Sequence, residues 1–129
     1  MYQIKRNRVV EDLHLEDGEK VLDLKVDMAV DGMLQRYTSA VASLEAARAA
    51  ASKEMTEERI TKLGESIVAV LVLIFGEHQT EQLVEFYEGA YTEMLADLTP
   101  FIRDEVTPKI HEAQKRITDQ YRSVKRPIL

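Results

Sequence analysis

The hydrophobic pattern changes period once along the chain, near Asp27. Before it, Leu13 and Leu15 alternate with Asp12, His14 and Glu16, and Leu22, Leu24 and Val26 alternate with Asp23 and Lys25. A period of two sends successive side chains to opposite faces of a strand, so each run predicts a half-buried strand. Asp17-Gly18 lies between the runs, and both residues tolerate positive φ, which predicts a hairpin turn. Tyr2, Ile4, Val9 and Val10 are candidates for a further edge strand. An isolated hairpin is marginal in water, so this one must pack on helices or pair with another chain.

Beyond Asp27 the period becomes helical. From about Ala29 to Ser52, with Asp27 as the expected N-cap, Met33, Leu34, Tyr37, Val41 and Leu44 recur at the spacing of a buried stripe. Ala40, Ala42, Ala46, Ala47, Ala49, Ala50 and Ala51 raise helix propensity and leave a slim surface that another helix can approach closely. Propensity alone explains them equally well.

A second helix is expected to open at Ser52 or Thr56, with Glu57 and Glu58 in its first turn. Ile60, Leu63, Ile67, Leu71 and Ile74 form its stripe, and Val68, Val72 and Phe75 widen it until little polar face remains. The run from Ile67 to Phe75 is too short to cross a bilayer, which places it in the middle of a core. Its β-branched content makes a buried strand the competing assignment; the phase set by Ile60 and Leu63 favours helix. Gly76 is the expected C-cap.

Thr80 is expected to cap a third helix with Leu83, Phe86, Tyr87, Ala90, Tyr91, Met94 and Leu95 on its inner side. Thr99-Pro100 predicts its end and the start of another, because proline is tolerated at a first helical position. Thr107-Pro108 repeats that signature, so residues 100–106 are either a short separate helix or the first part of a kinked long one. Ile110, Ala113, Ile117, Tyr121 and Val124 continue a stripe to about Lys125, and Pro127 closes the order. The fold class predicted is α+β, mainly α: a small N-terminal β-hairpin in residues 1–27 and a compact bundle of about four helices in residues 28–126, within one domain spanning 1–129.

Composition supports this picture. At 129 residues, with 45% apolar and 31% charged positions, the chain suits one globular domain with a modest core. No cysteine is present, which removes disulfides and thiolate zinc sites and makes a cytoplasmic protein the simplest expectation. No apolar stretch follows the basic start MYQIKRNR, so no secretory signal is expected, and no segment is long enough to span a membrane. The net charge of −6 argues against nucleic acid as the main partner. Basic residues gather at Lys5, Arg6 and Arg8 and again at Lys115, Arg116, Arg122, Lys125 and Arg126. They read as solvated ends, or as docking tails for an acidic surface.

No constellation of catalytic residues emerges. His14, His78 and His111 each stand apart, and only His78 has candidate metal ligands near it, in Glu77, Glu81 and Glu85. Polar clusters of that kind are common between helices, so no metal, no cofactor and no enzymatic activity are expected. Neither GxSxG nor a glycine-rich phosphate loop occurs. Phe75, Phe86, Tyr87, Tyr91, Phe101 and Tyr121 read as core, since a base-stacking platform requires a basic groove. Tyr87 and Tyr91, one helical turn apart, are the candidates for exposed interface anchors. The small-residue face carrying Ala42, Ala46 and Ala49 is the second candidate binding surface.

A hydrophobic helix ends in Leu73-Ile74-Phe75-Gly76-Glu77, a polar turn His78-Gln79-Thr80 follows, and an amphipathic helix from Glu81 to Leu95 carries Phe86, Tyr87 and Tyr91. With the short-strand hairpin and alanine-rich helix before it and the kinked polar helix after Thr99-Pro100, this order resembles the small tail assembly chaperones of long-tailed bacteriophages and their prophages. The resemblance spans nearly the whole chain, and the Phe-Gly turn is its most specific part. It implies a protein that keeps the long, helical tape measure protein soluble while tail tube subunits polymerise around it, and that is absent from the finished virion. Many members are made in two lengths by a translational frameshift, and this chain would correspond to the shorter. Self-association into a homo-oligomer is expected alongside, because the hairpin exposes an edge and the apolar content is high for the size. A structural tail-completion or head–tail joining protein, or a cytosolic helical regulator that touches nucleic acid through its basic ends, are the other readings.

Overall fold

Strands β1 (Arg8–Asp17) and β2 (Lys20–Ala29) form an antiparallel hairpin in the computed structural model, which describes residues 1–124. The register pairs Val9 with Met28, Glu11 with Val26, Leu13 with Leu24 and Leu15 with Leu22, so the apolar positions of both strands share one face. That face is turned inward: Val9, Leu24, Val26 and Met28 are buried. Asp17 pairs with Lys20, so the connecting residues are Gly18 and Glu19, one step beyond the expected Asp17-Gly18 pair. Gly18 alone has positive φ, at 63°, the pattern of a type II′ turn with glycine first. Tyr2 and Ile4 lie outside the sheet, 90% and 81% exposed, so the further edge strand expected from them is not formed, although Val9 and Val10 belong to β1.

The first helix, α1 (Leu34–Lys53), begins later than its alanine content suggests. The period of two continues through Met28 to the fully buried Val30, and Gly32 then turns the chain at a φ of 76°. Asp27 therefore caps nothing; it stands on the outer face of the hairpin and holds Arg8 at 2.7 Å. Along α1 the stripe is as expected, with Met33, Tyr37 and Leu44 buried and Leu34 and Val41 partly so.

Helix α2 (Glu57–Phe86) starts at Thr56, whose hydroxyl accepts a hydrogen bond from the Arg59 amide at 3.2 Å. The run from Ile67 to Phe75 is helical, and Ile67, Leu71 and Ile74 are all 3% exposed or less. Ile60, at 47% exposure, is a member of the predicted stripe that faces solvent. Gly76, the expected C-cap, does interrupt the helix, at φ 81° and ψ 167°, so that α2 consists of two helical segments meeting at a kink. The expected polar turn at His78-Gln79-Thr80 is instead helix, because its side chains recover the hydrogen bonds that the break frees. Gln79 Nε2 donates to the Phe75 carbonyl at 2.8 Å, and Thr80 Oγ1 donates to the Gly76 carbonyl at 2.7 Å. Thr80 is buried and caps no new helix.

A further break follows where Glu88 and Gly89 take positive φ values of 54° and 78°. Helix α3 then runs as Tyr91–Phe101, through a π-helical turn Ile102–Val106, into Thr107–Arg122. Neither Pro100 nor Pro108 ends it; the wider π turn between them absorbs the irregularity. The count is three helices rather than about four, with α2 kinked at Gly76. Tyr121 and Val124, at 79% and 62% exposure, fall off the predicted buried stripe. Lys125, Arg126 and Pro127, to which the last helix, its basic tail and its closure were assigned, lie outside the described residues.

Packing follows from these faces. α2 lies at the centre, against α1, β2 and the first part of α3, while the later part of α3 backs β1. Phe75 and Phe101 stack across α2 and α3 with ring centroids 6.3 Å apart. No helix among the described residues is long and apolar enough to cross a membrane.

Candidate functional site

Tyr87 and Tyr91 do not share a helical face. Tyr87 caps the C-terminus of α2 and Tyr91 opens α3, with the positive-φ pair Glu88-Gly89 between them. The Tyr87 ring meets Phe86 edge-on at 5.5 Å, and its hydroxyl donates to Asp97 Oδ2 at 2.9 Å. Burial and the neighbouring Asp97 carboxylate push its pKa well above the usual tyrosine value. Tyr91 lays its ring against α2 at Gly64, where an added Cβ would lie 3.2 Å from Tyr91 Cδ2. Both rings thus serve the packing of α2 against α3. Around Tyr87 the surface is acidic, with Glu16, Asp17, Glu88, Glu93 and Asp97 lining a cavity of about 420 Å³.

Ala42, Ala46 and Ala49 are exposed, on the face of α1 directed away from the rest of the fold. Close helix packing uses other alanines, the buried Ala47 and Ala51. His78 is exposed, and among the described residues no group of three or more His, Asp or Glu side chains is placed to hold a metal ion.

A more apolar concavity lies elsewhere. α1 and α3 both pack on α2 but diverge from each other: no Cα of α1 comes within 8 Å of one in Tyr91–Phe101. They meet only at one end, where the Tyr37 and Thr107 hydroxyls are 2.5 Å apart. Burial raises the Tyr37 pKa, so this hydroxyl stays protonated and available to the bond. The result is a V-shaped groove, closed at Tyr37–Thr107 and open toward Met55 and Thr92. Two adjoining cavities fill it, of about 400 and 420 Å³, which share Arg48, Leu95, Thr99 and Arg103 as lining.

Its lining is apolar, with charged residues at the rim. The floor is Leu63 and Val70 of α2, and the walls are Leu44 and Ala51 of α1 and Leu95 and Ile102 of α3. At the rim, Arg48 pairs with Glu45 at 3.1 Å and Arg103 with Asp104 at 2.9 Å. These ion pairs are exposed and screened by solvent, so they hold the side chains weakly and leave both guanidiniums free to turn to an incoming carboxylate. From Val41 to Ser52 the α1 wall is about 17 Å long, roughly three helical turns. An apolar trough of that length with a charged rim suits the apolar stripe of one amphipathic helix.

Comparison with protein-family models, curated proteins and solved structures finds no match to the chain. The groove itself, and not a relative, therefore carries the functional reading.

Sequence reasoning placed the binding face on Tyr87, Tyr91 and the outer alanines, and did not find this groove. The signal was present but indirect. Leu44, Leu63 and Leu95 all read as core and Ala51 as part of the slim alanine surface, and only the divergence of α1 from α3 separates a groove wall from a core contact.

Proposed function

We propose that this protein is a tail assembly chaperone that holds an amphipathic helix of its client, a tape measure protein, in the groove between α1 and α3. The observation that supports it most is the groove: between α1 and α3, the half-buried Val41, Leu95 and Ile102 leave an apolar strip above the buried Leu63 and Val70. A long helical client exposes apolar stripes while unassembled, and covering one stripe at a time prevents those stripes from associating with each other. Arg48 and Arg103 favour client helices with Asp or Glu beside the stripe. Such a role needs no catalytic group and places the protein in the cytoplasm of the infected or lysogenic cell, with tail tube subunits as a further partner.

Co-expression with the long tape measure gene product tests the reading. The client is expected to move into the soluble fraction and to co-purify with the chaperone. A client equally insoluble with and without the chain, with no complex after purification, removes it. Presence of the chain in purified particles would favour a structural tail protein instead.

A further inference from the structure

The two edges of the hairpin differ. On β2, the Gln79 side chain pairs with both peptide groups of Lys25: the Lys25 amide donates to Oε1 at 2.9 Å, and Nε2 donates to the Lys25 carbonyl at 2.8 Å. This side chain of α2 occupies the position a neighbouring strand would take, and it blocks that edge. The same bonds fix the phase of the ladder. Because Lys25 directs its peptide groups outward, the pair Asp12–Lys25 is a non-hydrogen-bonded one, and on β1 the outward peptide groups are those of Arg8, Val10, Asp12, His14 and Glu16. Among the described residues no hydrogen bond covers that row. The edge is long, and the side chains on it are exposed, including Val10 at 49%.

We propose that β1 pairs with β1 of a second copy of this chain, antiparallel about a two-fold axis at Val10, joining two hairpins into one four-stranded sheet. Outward groups must meet outward groups, so only registers that set even-numbered positions opposite each other are allowed. Among these, the register centred on Asp12 puts two carboxylates face to face, and the one that opposes Val10 to Asp12 brings Glu11 against Glu11 on the inner face. The register centred on Val10 avoids both clashes. It stacks the two exposed valines and sets Arg8 of each copy opposite Asp12 of the other. Arg8 uses Nε and Nη2 on Asp27, which leaves Nη1 directed to the new carboxylate. A two-fold axis makes every one of these contacts twice.

The absence of cysteine gives a clean test. A hydrogen-bonded antiparallel pair holds its Cα atoms about 5.5 Å apart, within disulfide range. Val10→Cys is expected to yield a covalent dimer under mild oxidation much faster than Val21→Cys, a control of similar exposure on β2. Analytical ultracentrifugation of the unmodified protein should show a dimer. Asp12→Pro, which removes an outward amide and no hairpin bond, should shift it to monomer with the far-ultraviolet spectrum retained. A monomer at every accessible concentration overturns the proposal, as does cross-linking at Val10 no faster than at Val21. A dimer that survives Asp12→Pro and does not cross-link at Val10 uses another face and overturns it equally.

Discussion

The Tyr37 and Thr107 hydroxyls, 2.5 Å apart, form the side-chain hydrogen bond that ties α1 to α3. It links residues 70 positions apart at the point where the two helices converge, so it sets how far the groove opens beyond it. Tyr37→Phe and Thr107→Val should each cost about 0.5–1.5 kcal/mol, the usual net value of one such bond. The double variant should cost less than the sum, since both remove the same interaction. Denaturant unfolding of the four proteins in the cycle checks this; strict additivity would mean the two hydroxyls are independently solvated.

Leu71 is 2% exposed at the centre of α2. Leu71→Ala removes buried volume from a segment surrounded by other elements, and should destabilise by about 2–5 kcal/mol. A loss below about 0.5 kcal/mol, the scale of an ordinary surface substitution, would contradict the central position of α2.

At Gly76 the backbone occupies a region that only glycine enters without strain, and no atom lies within 4 Å of an added Cβ. Gly76→Ala should therefore cost about 1–3 kcal/mol through backbone strain alone. Substitution by a larger residue should cost little more, as nothing is there to be struck. Chemical denaturation of Gly76→Ala and Gly76→Leu distinguishes strain, which predicts similar losses, from crowding, which predicts a steep rise with size.

His14 sits on the outer face of the hairpin with Nδ1 2.5 Å from Asp23 and Nε2 2.8 Å from Glu16. Hydrogen bonds to Asp23 first and Glu16 second raise its pKa above 6.5. A raised folded-state pKa means that the protonated ring favours the folded hairpin. That contribution is complete below pH 6.5, and it is lost as pH rises through the folded value. An NMR titration should place the His14 midpoint above 6.5, and His14→Gln should remove this part of the pH dependence. A midpoint at or below the ordinary value would mean that the two carboxylates do not hold the ring.

Much of the fold is legible in the residue pattern, and what is not has local causes. Alternation placed the strands and their inward face because register is tied to burial on one side of a sheet. The helical phase set by Ile60 and Leu63 identified Ile67 to Phe75 as buried helix, although Ile60 itself faces solvent. Helix boundaries were legible in part. Gly76 reads as a terminus and does break the helix, but Gln79 and Thr80 cap the freed carbonyls so that helix resumes at once without a polar turn, and the π turn carries α3 past Pro100 and Pro108. Conversely, Glu88-Gly89 is a weak signal in sequence and a full break in structure. The candidate site was less legible still. A groove depends on the angle between two helices that both touch a third, and hydrophobic spacing on each helix is the same whether its neighbour is near or diverging.

Binding of a tape measure fragment to charge variants of the two α1–α3 surfaces tests the central claim most directly. Ala96 and Ala46 are both exposed alanines within helices, Ala96 lining the groove and Ala46 on the outward face of α1. Either can take glutamate with little effect on folding, so binding can be compared at equal stability. If the client helix lies in the groove, Ala96→Glu should abolish co-purification of the fragment and Ala46→Glu should leave it intact. Binding that survives Ala96→Glu but fails with Ala46→Glu would move the client to the alanine face and contradict the account.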